Sequence, residues 1–121
     1  MNIHGDFIAR LNWPDIATQL DREGYAVLRG LLKDSQVHEL AALRGTASAA
    51  DRVSLASEGL GRGHLFYFLR PLPALLEELR TAFYRRLAPI ANRWRDALDI
   101  SCRYPDTLNA FLISLRIRVD L

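Results

Sequence analysis

GLGRGHLFYFLRPLPALLEELRTAFYRRLAPIANRW, residues 59–94, carries four structural signals in order: a glycine-punctuated turn, an aromatic strand, a Pro-x-Pro stop and a long amphipathic helix. Gly59, Gly61 and Gly63 alternate around Leu60 and Arg62. A dinucleotide-binding loop requires a strand before its glycines and a helix after them. Here a strand, His64 to Leu69, follows instead, so the glycines predict a tight turn or a closely approached backbone. Pro71 and Pro73 end the strand. Leu75, Leu76, Leu79, Phe83, Leu87, Ile90, Trp94 and Leu98 then recur at spacings of mostly three and four, which is one apolar helical stripe. Pro89 falls within it, removes a backbone donor and predicts a kink or a division into two helices.

Upstream, Trp13-Pro14-Asp15 opens a helix whose Ile16, Ala17 and Leu20 face inward, with Gly24 as its stop. Tyr25 to Leu28 reads as a short strand. Asp34 or Ser35 caps a second helix through Val37, Leu40 and Leu43, ending at Gly45. Residues 46–58 are small, polar and aperiodic, which predicts a mobile loop or a weakly formed helix. Downstream, Tyr104-Pro105-Asp106 starts a short helix with Leu108, Phe111 and Leu112 apolar. From Ile113, apolar residues alternate with Ser114, Arg116, Arg118 and Asp120, the two-residue period of a half-buried strand. The expected class is α+β, mostly helical, with a few short strands, in one partial domain spanning 1–121.

Composition bounds the rest. With 121 residues, 50% apolar and 25% charged, the chain can bury a modest core and is not of disordered type. Net charge is +2, too mild for a nucleic-acid-binding tail. Lys33 is the single lysine. Cys102 is the single cysteine, which excludes an intrachain disulfide and a thiolate metal cluster. No apolar run suits a signal peptide or a membrane span, so a cytoplasmic location is expected.

The best-matched pieces of a family resemblance are Gly24 to Leu28, Gly61-Arg62-Gly63 with Tyr67-Phe68, Pro71-Leu72-Pro73, Leu87-Ala88-Pro89-Ile90-Ala91-Asn92 with Trp94, then Tyr104-Pro105 and Thr107-Leu108. Together they resemble the N-terminal part of a bacterial family of 2-oxoglutarate/Fe(II)-dependent oxygenases related to prolyl hydroxylases. The resemblance implies a helical support region packed outside a double-stranded β-helix, here incomplete, with its first edge strands. It also implies Fe(II) and 2-oxoglutarate as cofactors of the full-length enzyme, and a small-molecule or amino-acid side-chain substrate. Iron in such enzymes is held by two histidines and a carboxylate on one face, in a His-x-Asp…His arrangement.

That triad is not expected in this chain. His4-Gly5-Asp6 matches His-x-Asp literally but sits at a terminus with no sheet to orient it. His38 falls on a predicted helix, and His64 has no carboxylate two residues on. The chain therefore reads as a scaffold fragment, inactive alone and binding no cofactor. ISLRIRVDL does not fit the core strand expected next, which suggests truncation or a shifted frame after Leu112. Arg62 and Tyr67 are the candidate substrate-binding residues, since arginine grips carboxylates in bidentate fashion; a surface arginine beside a half-buried tyrosine is the competing reading. Arg85, Arg86, Arg93 and Arg95 form a basic rim on the long helix, read chiefly as a solvated face.

A second class of function is a small α-rich module binding nucleic acid or protein. Residues 37–55 have a faint helix-turn-helix pattern, with Gly45 at the turn and Arg52, Ser54 and Ser57 available to phosphates. The second segment is poor in the residues that read base edges, which argues against nucleic acid. Self-association through the Leu75–Leu98 stripe is a third expectation, if that stripe is left uncovered.

Overall fold

The computed structural model describes residues 3–43 and 49–119. Its elements are α1 (Ile3–Ala9), α2 (Trp13–Glu23), α3 (Asp34–Ala42), β1 (Ala49–Ser54), β2 (His64–Phe68), α4 (Ala74–Ala97) and α5 (Leu108–Val119). The class is α+β and mostly helical, with one two-stranded antiparallel sheet. Two compact units form: Met1–Ala26 with Leu75–Leu121, and Val27–Ala74.

The first unit is helical, and each of its four helices contributes to a small core. Ile8, Ile16, Ala88, Ile90 and Leu108 are its buried apolar residues, and Ile8 is the most completely enclosed at 1% exposure. α1 was not legible in the sequence; seven residues containing Gly5 are too short for propensity to hold a helix, and packing supplies what propensity lacks. Trp13 fixes the α1–α2 corner by donating its indole N–H to the Ile8 carbonyl at 2.7 Å. The same ring meets Phe83 of α4 edge-on at 6.3 Å. α2 begins as expected: the Asn12 side chain accepts the Asp15 N–H, and Pro14 occupies the first turn, where its missing donor is not needed. Gly24, at φ 79°, closes the helix in the left-handed conformation.

Pro89 does not divide the long helix. α4 runs unbroken from Ala74 to Ala97, and Ala88 and Ile90 on either side of the proline are both buried, so packing holds the helix across the missing hydrogen bond. α4 closes at Asp99, φ 56°, with the Ile100 N–H reaching back to the Arg95 carbonyl at 2.8 Å. α5 corrects a second expectation. Residues 113–119 are helical, not a strand. Alternating apolar residues specify a strand only where a partner can satisfy its backbone, and among the described residues the two strands pair with each other. Thr107 starts α5 instead, its hydroxyl accepting the Ala110 N–H at 3.2 Å.

In the second unit, α3 begins after Lys33, whose backbone N–H donates to the Gln36 side chain at 2.8 Å. Neither Asp34 nor Ser35 is the cap; both lie inside the helix. Tyr25 to Leu28, where the first unit passes into the second, forms no strand, and Tyr25 and Val27 stand 64% and 61% exposed, without a ladder to hold them. Part of the segment expected as loop or weak helix is ordered differently. Residues 49–54 are β1, paired antiparallel with β2 so that Val53 lies opposite Leu65 and Arg52 opposite Phe66, with an irregularity between Ala49 and Asp51. Residues 46–48 of that expected loop, and Gly45, lie outside the described residues. Strand formation here is imposed by the aromatic partner β2, an effect no local period announces. A strand at 49–54 also removes the second helix that a helix-turn-helix over residues 37–55 would need. The glycine turn is as expected: Gly59, Gly61 and Gly63 have φ of 70°, 104° and 124°, and the Leu55 N–H donates to the Gly63 carbonyl at 3.0 Å. No helix in the described residues is long and apolar enough to cross a membrane.

The core makes a direct prediction. Ile8→Ala should cost about 2–4 kcal/mol in urea unfolding, whereas Leu60→Ala, at a side chain 71% exposed, should stay within about 0.5 kcal/mol.

Candidate functional site

The polar side chains that the structure does gather lie on the last two turns of α4. Asn92 faces the chain after α4 and holds the backbone of Tyr104 at both ends. Its Nδ2 donates to the Tyr104 carbonyl at 2.9 Å, and its Oδ1 accepts the Tyr104 N–H at 2.7 Å. About two turns earlier on α4, the Tyr84 hydroxyl donates to the Pro105 carbonyl at 2.8 Å. Arg95 donates to the Cys102 carbonyl at 3.0 Å and to the Tyr104 hydroxyl at 2.9 Å, with its guanidinium carbon 4.2 Å from the Tyr104 ring centre. Phe111 of α5 then packs on Tyr84 and Tyr104, at ring separations of 5.5 and 5.9 Å. The loop between α4 and α5 is thus clasped by α4. The hydrogen bond to Tyr104 raises the Arg95 pKa against a smaller opposing effect of burial, so the cation is secured. Burial raises the Tyr84 pKa, helped by Tyr104 and Asp106.

Asp21 of α2 makes a second cluster with α4. Trp94 donates its indole N–H to it at 2.6 Å, and Arg93 reaches both carboxylate oxygens at 3.1 and 2.9 Å. The Trp94 bond, then Arg93, lower the Asp21 pKa against the opposing effect of desolvation. These contacts tie α2 to α4, and they leave no group aimed at a reacting atom.

The sequence-derived site residues are more scattered. Arg62 sits in the glycine turn and Tyr67 on β2, both exposed, and no hydrogen bond joins them among the described residues. His38 is exposed on α3; His64 is exposed at the start of β2, its ring 6.3 Å from that of Phe66. His4 and Asp6 belong to α1, a helix anchored by Ile8 and not a frayed end; the His4 side chain lies outside the described residues. Among the described residues no three His, Cys, Asp or Glu side chains converge on a position that could hold a metal.

What sequence reasoning missed is a pair of shallow grooves on the first unit that share Arg85 and Arg86. One, of roughly 380 Å³, is lined by Asp6, Ala9, Thr81 and Thr107 with the two arginines. The other, of roughly 540 Å³, is lined by Trp13, Pro14, Ala17, Pro89 and Arg93 with the same two. The basic rim was legible; its placement beside α1 and α2 depended on the unforeseen first helix.

Comparison with known proteins points to the oxygenase class. Residues 63–118 match a family described as "Oxygenase, catalysing oxidative methylation of damaged DNA". The matched stretch takes in β2, α4, the clasped loop and nearly all of α5. It runs past Leu112 to Arg118. No curated protein and no solved structure matches the chain.

The clasp and the Asp21 cluster each yield a test. Asn92→Ala should cost about 2 kcal/mol, by removing two net hydrogen bonds and stranding the partly buried backbone of Tyr104, and α5 helicity should fall with it in circular dichroism. Because Asp21 has a lowered folded pKa, the folded state binds fewer protons there than the unfolded chain. Its contribution is therefore complete above the ordinary carboxylate range and disappears as pH falls through the lowered value. Thermal melts across an acid pH series should show a shallower loss of stability for Asp21→Asn than for the wild type.

Proposed function

We propose that this chain is the supporting portion of a 2-oxoglutarate/Fe(II)-dependent oxygenase that acts on damaged DNA. The observation that carries the reading is the family match over residues 63–118. The residues behind the oxygenase resemblance support it by what they do physically. Asn92, Tyr104 and Pro105 form the clasp, Trp94 binds Asp21, Thr107 starts α5, and Ala88, Ile90 and Leu108 are core. A motif made of such residues belongs to a scaffold, and the chemistry falls to residues elsewhere in the complete enzyme. Iron and 2-oxoglutarate, held by those other residues, would supply the oxygen activation. The description of the matched family favours DNA over the amino-acid side chain that the resemblance alone implied.

The coding sequence beyond Leu121 tests the reading. A His-x-Asp or His-x-Glu motif with a distal histidine should follow in frame, and the complete product should release succinate from 2-oxoglutarate only with Fe(II), faster when damaged DNA is present. The 121-residue chain should release none. An immediate stop with no ligand motif downstream, or turnover by the short chain, would contradict it.

A further inference from the structure

Resting on the DNA-directed reading above, we propose that the groove between α2 and α4 is a phosphodiester site, in which Arg85 and Arg86 contact the DNA backbone. The groove holds three arginines and no carboxylate among its lining residues. Arg93 is already committed: both Asp21 oxygens face it, so its charge is spent within the protein. Arg85 is different. It is exposed and makes no hydrogen bond or ion pair with any described residue. Arg86 donates one N–H to the Ala9 carbonyl at the end of α1, at 3.2 Å. That bond fixes the guanidinium beside the groove while leaving other donors of its planar fork free.

The charge balance selects an anion. Asp6 lines only the neighbouring groove, whereas the lining on the α2 side carries no carboxylate, and Arg93 is paired with Asp21. A groove of roughly 540 Å³ that is open on one side suits a passing chain and not an enclosed small molecule. Arginine forks match the geometry of phosphate oxygens, and two on adjacent residues can engage one phosphate or two successive ones. Such contacts position a strand without reading its sequence. Carboxylate ligands satisfy the same forks, but a surface groove gives them little else to hold, while a polyanion adds the release of its condensed counterions.

Fluorescence anisotropy with a labelled single-stranded oligonucleotide, titrated across roughly 50–200 mM salt, tests the site. The wild-type chain should bind with a salt-dependent affinity. Arg85→Gln should lower the log–log salt slope by about 1 unit or slightly less, and Arg85→Gln/Arg86→Gln by about twice that, with affinity down about tenfold at low salt. Arg29→Gln, the same charge loss in the second unit, should leave the slope unchanged. Arg85 has no partner to lose among the described residues, so its single variant remains decisive if the double variant unfolds. Binding by both variants that equals wild type would overturn the site while leaving DNA as the substrate. A folded wild-type chain that binds no oligonucleotide would overturn it too, and the substrate reading would then stand or fall on DNA-stimulated succinate release by the complete product.

Discussion

The grip of Asn92 on Tyr104 is the contact on which the helical unit depends. Two hydrogen bonds with one side chain fix the position of the chain twelve residues on, while Tyr84 holds Pro105 and Arg95 holds Cys102 and the Tyr104 hydroxyl. Without that fixed loop, Leu108 has no defined place in the core and Phe111 no defined place between the two tyrosines. A single asparagine therefore converts the end of α4 into the starting point of α5. The core it completes is thin, about one residue per helix. With so little apolar burial, directional polar contacts carry an unusual share of the specificity.

The sequence was most readable where a signal was local and physically unambiguous. The Pro14 start and Gly24 stop of α2, the glycine turn, the aromatic strand and the α4 helix all appear where the pattern puts them, because each follows from backbone constraints or a strong period, although Leu87, Trp94 and Leu98 of the α4 stripe stand exposed. It was least readable where tertiary contact overrides local preference. β1 exists because β2 is there to pair with it, and α1 exists because Ile8 is buried. The alternation of Ile113 to Val119 looked like a strand, but a helix needs no partner for its backbone and a strand does. Pro89 shows the same balance from the other side, as its packed neighbours hold the helix through a residue that usually breaks it.

The candidate site divides along the same line. Residues chosen by type, such as Arg62, Tyr67, His38 and His64, are not brought together among the described residues. Residues quoted as family signature, Asn92 and Tyr104 above all, turn out to touch one another. No pattern rule links an asparagine to a tyrosine twelve positions away across a helix end; only their presence in one matched motif hinted at it. The arginine rim was visible as charge, yet which arginines are spent and which are free depended on Asp21 and Ala9, both far away in sequence.

The central claim is that the matched segment serves by holding its own parts in place. Native-state hydrogen exchange on the 121-residue chain measures this most directly. The Tyr104 amide, though in a loop, should be protected nearly as strongly as Ile90 and Asn92 within α4, and all three should open together. Exchange at Tyr104 as fast as at the exposed residues of the glycine turn, with α4 still protected, would show that the clasp does not organise the unit.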